Sequence, residues 1–88
     1  MKKIVLDSGL NLEIDESFSD DMELLDALIE SDEGDALAVS RICTKVLGKT
    51  EKKKLYDSLR ENGRVPVTKV VPAIKEIFEK LGEQTKNS

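Results

Sequence analysis

The sequence predicts an α+β fold, mainly α, in which an N-terminal β-hairpin packs on about four short helices. Residues 10–15 alternate apolar and polar at a period of two, and the segments beyond about residue 19 repeat their apolar residues at three and four. Punctuation agrees: Gly9, Gly34, Gly48 and Gly63 fall between the periodic segments. Residues 1–88 are expected to form a single domain, with the hairpin in 1–15, a helical part in 19–83 and a frayed tail in 84–88. A chain this short buries only about 60% of its unfolded surface, so a partner would add usefully to its stability.

In the hairpin, Leu10, Leu12 and Ile14 alternate with Asn11, Glu13 and Asp15, and Asp7-Ser8-Gly9 supplies the turn. A two-residue loop at Ser8-Gly9 would set Ile4 and Leu6 opposite Glu13 and Asn11. A three-residue loop, with Gly9 left-handed, pairs Leu6 with Leu10 and Ile4 with Leu12. Only the second gathers Ile4, Leu6, Leu10, Leu12 and Ile14 on one face, so burial selects it. An isolated hairpin is barely stable in water, and this face must cover something.

The first helix is expected to start from Ser19 or Asp20, with Glu23 completing a capping box and Leu24, Leu25, Leu28 and Ile29 as its apolar stripe. Ser31-Asp32-Glu33-Gly34 interrupts the pattern. A second helix, about 35–47, turns Leu37, Val39, Ile42, Cys43, Val46 and Leu47 inward and ends at Gly48. Thr50 caps a third, about 51–61, which offers only Leu55, Tyr56 and Leu59 for burial, and Asn62-Gly63 stops it. Val65-Pro66-Val67 is expected to be extended or a tight connection, because the residue before proline avoids helical geometry. The last helix spans about 68–83, with Pro72 in its first turn, since deeper placement costs about 3 kcal/mol.

Charge is divided unevenly. Residues 1–40 carry twelve carboxylates against Lys2 and Lys3, a net of −10, while residues 41–88 carry twelve Lys and Arg against six acids, a net of +6. Such asymmetry concerns partners or assembly more than chemistry. The chemistry itself is sparse. With no His and a single Cys, the chain lacks imidazole acid–base catalysis, the common zinc and haem ligand sets, and any internal disulfide. There is no Gly-rich phosphate loop and no nucleophile elbow, so neither an enzyme nor a cofactor is expected. The apolar run Ile4-Val5-Leu6 stops at Asp7, short of the roughly 7–15 residues of a signal peptide. No run approaches the ~20 residues of a membrane span, and a soluble intracellular protein with no membrane partner is expected.

Three constellations have bland and sharp readings. Cys43 lies on the apolar stripe of the second helix; without a basic activator it reads as a buried structural cysteine rather than a reactive thiol. The acids from Asp15 to Asp35 lack the alternation and terminal glutamate of a calcium loop, and read as caps and a solvated face, or as a docking surface for a basic partner. Lys52-Lys53-Lys54, with Lys49 and Arg60 near, could grip phosphates in a nucleic-acid-binding regulator. That third helix offers few planar side chains to read bases, and net acidity opposes backbone binding, so nucleic acid is not the expected partner.

The last helix is richer than one seam requires: Val70, Val71, Ile74, Ile77, Phe78 and Leu81 occupy adjacent rows. Either the hairpin covers the excess or a partner helix does. On the second alternative Val70, Ile74, Ile77, Phe78 and Leu81 form a client-binding groove rimmed by Lys75 and Lys80.

The order of these features resembles the small tail assembly chaperones of long-tailed, siphovirus-type bacteriophages. The matching pieces are the hairpin Ile4-Val5-Leu6-Asp7-Ser8-Gly9-Leu10-Asn11-Leu12-Glu13-Ile14-Asp15 and the acidic helix Asp21-Met22-Glu23-Leu24-Leu25-Asp26-Ala27-Leu28. Gly63-Arg64-Val65-Pro66-Val67, Glu76-Ile77-Phe78-Glu79 and Lys86-Asn87-Ser88 follow in order. The resemblance implies a non-catalytic protein of the host bacterial cytoplasm. It would bind the tape-measure protein, keep that protein's hydrophobic helices soluble and help recruit tail tube protein. Part of the charge division is then satisfied internally, and the rest orients a client or neighbouring subunits, self-association included. An acidic decoy or inhibitor, docking residues 20–35 on a basic protein, is the competing reading.

Overall fold

The computed structural model describes residues 1–85, with side chains through residue 82. Strands β1 (Lys2–Val5) and β2 (Asn11–Ile14) pair antiparallel, with Ile4 opposite Leu12 and Val5 opposite Asn11. The three-residue loop closes them. Gly9 donates its N–H to the Leu6 carbonyl at 2.8 Å, Leu6 donates to Leu10 at 2.9 Å, and Gly9 adopts a φ of 95°. The register is the one burial selects: Ile4, Leu6, Leu12 and Ile14 are buried, and Leu10 packs at their margin.

A short 3-10 helix, Glu16–Asp20, comes next, opened by the Asp15 carboxylate accepting from the Ser17 N–H at 3.0 Å. Its single apolar residue, Phe18, packs against the core and gives the turn its reason to form. This displaces the start of the first α-helix. Helix α1 (Met22–Asp32) is capped by Asp21, not by Ser19 or Asp20; its carboxylate accepts from the N–H groups of Glu23 at 2.9 Å and Leu24 at 3.3 Å.

The expected second and third helices follow end to end across a non-helical residue, Gly48; taken together as one element, α2 (Ala36–Leu59), they leave the fold with three α-helices rather than about four. The bend lies at Gly48, where the second helix was expected to end; there φ is 71° and ψ is 178°. Thr50 already has helical backbone and is not a cap. Ala38, Val39, Ile42, Cys43, Val46 and Leu47 are buried before the bend, and Leu55 after it. Leu37, expected inward, is 76% exposed. At about 100° per residue it falls on the side of the barrel away from the Val39–Ile42–Val46 row.

Beyond α2, Asn62 and Gly63 have φ of 51° and 81° and form a tight turn closed by reciprocal Glu61–Arg64 hydrogen bonds of 2.8 and 3.0 Å. Helix α3 (Val67–Thr85) begins with Lys69 and Val70 donating to the Pro66 carbonyl. Pro72 therefore sits in its second turn, not its first. The carbonyl it leaves without a helical donor belongs to Thr68, which is exposed and open to water. The helix continues through Gln84 and Thr85, assigned above to the tail; the rest of that tail, 86–88, lies outside the described residues.

Helix α2 is the centre of the packing. Helices α1 and α3 both contact it, β2 lies against it, and β1 lies against α3. The hairpin turn is tied to α3 as well: the Asp7 N–H donates to the Glu76 carboxylate at 2.5 Å, and Lys80 pairs with Asp7 at 3.3 Å.

Candidate functional site

The residues expected to line a client groove are mostly interior. Val70, Ile74, Ile77 and Leu81 are buried in the common core, and Phe78 is partly buried beside Phe18. Ile77 is wholly covered from within the chain, whereas Ile74, Lys75 and Phe78 also line a depression between α3 and α1. Lys75 is exposed, and Lys80 forms ion pairs with Asp7 and with Glu76 at 3.8 Å.

Open apolar surface lies next door, on α1. Leu24 and Ala27 are buried and Leu28 is partly buried, but Met22, Leu25 and Ile29 are 68%, 48% and 51% exposed. At helical spacing these three share one row. The apolar arc of α1 is thus about twice as wide as its seam with the core. One half seats the helix, and the other faces solvent.

This row continues into the space between α1 and α3. A depression of about 330 Å³ is lined by Phe18, Met22, Leu24, Leu25, Leu28 and Phe78, among others. A second, of about 270 Å³, lies along the same interhelical space, with Leu28 from α1, Val39 and Ile42 from α2, and Val71, Ile74 and Phe78 from α3. Leu28 and Phe78 line both, so the two depressions adjoin as one apolar trough. Its exposed charged residues are Asp20 at the mouth beside Phe18, Asp32 on the α1 wall and Lys75 on the α3 wall.

Electrostatics divide α1 lengthwise. Toward α2, Lys45 pairs with Asp21 at 3.0 Å and Glu23 at 3.9 Å, while Arg41 pairs with Glu30 and, at 3.9 Å, with Asp35. These contacts join the acidic and basic parts of the chain. The Lys45 hydrogen bond, foremost, holds the Asp21 carboxyl below its ordinary range, and the Leu24 and Glu23 N–H groups add to that effect. On the solvent side, Asp26, Asp32 and Glu33 make no ion pair among the described residues.

The remaining chemistry is quiet. Cys43 is buried, and desolvation raises its thiol pKa, which disfavours the thiolate. Among the described residues, no group of three His, Cys, Asp or Glu could hold a metal ion. No described helix is long and apolar enough to cross a membrane. The lysine run is engaged locally: Lys53 pairs with Asp57 at 2.7 Å, Lys54 with Glu51 at 3.3 Å, and Lys52 donates to Thr44 at 3.0 Å while lying over the Tyr56 ring.

No family model, curated protein or solved structure matches this chain. Of the residues expected from the last helix, Ile74, Lys75 and Phe78 line the trough, and its α1 wall is the part the sequence reading did not single out. Met22, Leu24, Leu25, Leu28 and Ile29 carried the same signal of surplus apolar rows in α1.

Proposed function

We propose that the chain is a non-catalytic assembly chaperone that holds an amphipathic helix of its client in the trough between α1 and α3. One observation carries the reading. The exposed Met22–Leu25–Ile29 row adjoins a depression in which Met22 and Leu25 meet the partly buried Leu28 and Phe78. Contiguous open apolar surface of this kind marks interaction sites, and helix-in-groove docking suits a trough walled by two helices.

The client is identified by resemblance. The order of hairpin, acidic helix and C-terminal segments favours a tail assembly chaperone, whose client is the tape-measure protein and which helps recruit tail tube protein in the host bacterial cytoplasm. Holding exposed helices soluble needs a rigid apolar seat rather than a catalytic centre, and α1 anchored by Leu24 and Ala27 supplies one.

Co-expression with helical tape-measure fragments tests this. Leu25→Asp and Ile29→Asp alter exposed positions, so each variant is expected to remain folded and to lose the ability to keep the fragment soluble. A folded variant that still solubilises the fragment would place the client elsewhere.

A further inference from the structure

Charge is unevenly placed around the trough and the exposed apolar row of α1 that adjoins it. Along the α1 barrel, Asp32 lies on one side of the Met22–Leu25–Ile29 row and Asp26 on the other, with Glu33 just past the helix end. None of the three makes an ion pair among the described residues, although Lys45 and Arg41 answer the carboxylates on the α2 side of the same helix. Helix α1 itself contains no Lys or Arg. Across the trough, Lys75 on α3 is the exposed cation among the lining residues, and it too makes no ion pair among the described residues.

We infer that the occupant of this trough is a laterally charged amphipathic helix: lysines or arginines on the flank that meets α1, and a carboxylate on the flank that meets Lys75. The inference rests on the helix-binding reading above and names the chemistry of the partner. Apolar contacts supply most of the attraction, while the rim selects among apolar helices and sets which flank faces α1. A second copy of this chain docked symmetrically through α1 is disfavoured, because a two-fold contact sets one acidic α1 surface, which has no Lys or Arg, against another. An acid-flanked helix meets the same repulsion.

The test uses two synthetic helical peptides with identical apolar faces, one flanked by lysines and one by glutamates. Binding to the full chain is measured by fluorescence anisotropy. The lysine-flanked peptide is expected to bind about tenfold more tightly, the scale of a few exposed ion pairs. That preference should disappear in the Asp26→Asn, Asp32→Asn, Glu33→Gln triple variant, and should shrink between ~0.05 M and ~0.5 M salt as screening shortens. Leu25→Gln should weaken both peptides, because the apolar seat is shared. Equal affinity for the two peptides, or a preference for the glutamate-flanked one, would overturn the charge inference while leaving the trough intact. Undiminished lysine-peptide binding to Leu25→Gln would overturn it as well, since the contact would then be generic attraction to an acidic protein. Failure of both peptides to bind the parent chain would sink the helix-binding reading itself.

Discussion

The rings of Phe18 and Phe78 meet edge to face, with centroids 6.1 Å apart and planes at 64°. The contact joins the 3-10 turn to α3, across the opening between α1 and α3. No residue of Glu16–Asp20 is fully buried, and Phe18 is the segment's one apolar side chain, packed on the core as well as on Phe78. Both rings also line the trough, which places a structural contact and the proposed binding surface on the same two side chains.

A double-mutant cycle with Phe18→Ala and Phe78→Ala measures that tie. The expected coupling is about 0.5–1.5 kcal/mol beyond the burial lost by each ring. Denaturant unfolding of the four proteins supplies the number, and strictly additive effects would show that the rings merely fill space.

Gly48 sets the bend in α2. Its φ of 71° with ψ of 178° belongs to a region that only glycine enters readily, and a Cβ placed there meets nothing within 4 Å. The penalty for Gly48→Ala is therefore one of backbone rather than of clash, about 1–3 kcal/mol. Thermal unfolding should show that loss. An unchanged Tm would mean that the bend relaxes freely in solution.

Acid should weaken the fold through Asp21. Its folded-state pKa lies below the ordinary 3.8, chiefly because of the Lys45 hydrogen bond, so its stabilisation is complete above that value. It is lost as pH falls through the lower, folded value, where the carboxylate takes up its proton. Asp15 and Asp57 act in the same direction, the first through Ser17 and the second through Lys53 and Arg60. Asp21→Asn keeps a capping oxygen but removes the charge. It should lower Tm at neutral pH, and its deficit should narrow in acid as the parent loses the same interaction. A deficit independent of pH would assign the effect to something other than the Asp21–Lys45 pair.

Tyr56 reports on the opposite limb. Burial, foremost, with the adjoining Cys43, pushes its hydroxyl from 10.0 up to about 12. A group raised in this way stabilises the fold fully below pH 10, and that contribution is lost as pH rises toward 12. It is the chain's one tyrosine. Near-ultraviolet absorbance should therefore show a single tyrosinate transition near 12 in the folded protein, and a transition at the ordinary value would place the ring in water.

Much of this architecture was legible in residue order because local rules and burial agreed. Ile4 opposite Leu12, the left-handed Gly9 and the break at Gly48 each follow from a conflict that only one arrangement resolves. Which faces stay open has a different origin. Periodicity shows which residues share a side of a helix, but not which side meets the core when an apolar arc is wider than one seam. Helices α1 and α3 both have wide arcs. Helix α3, which contacts both α2 and β1, buries Ile77 and Leu81, whereas α1 seats through Leu24 and Ala27 and leaves Leu25 and Ile29 outside. Pro72 was placed too early because Thr68, whose carbonyl it orphans, is solvated, which softens the usual penalty.

The central claim is that a client helix lies between α1 and α3, and methyl chemical-shift mapping tests it most directly. With a helical tape-measure fragment titrated into the labelled chain, the largest perturbations should fall on Met22, Leu25, Leu28, Ile29 and Val71. Little change is expected at the hairpin methyls of Ile4 and Leu12. Perturbations centred instead on the lysine-bearing half of α2, or on the hairpin, would contradict the account.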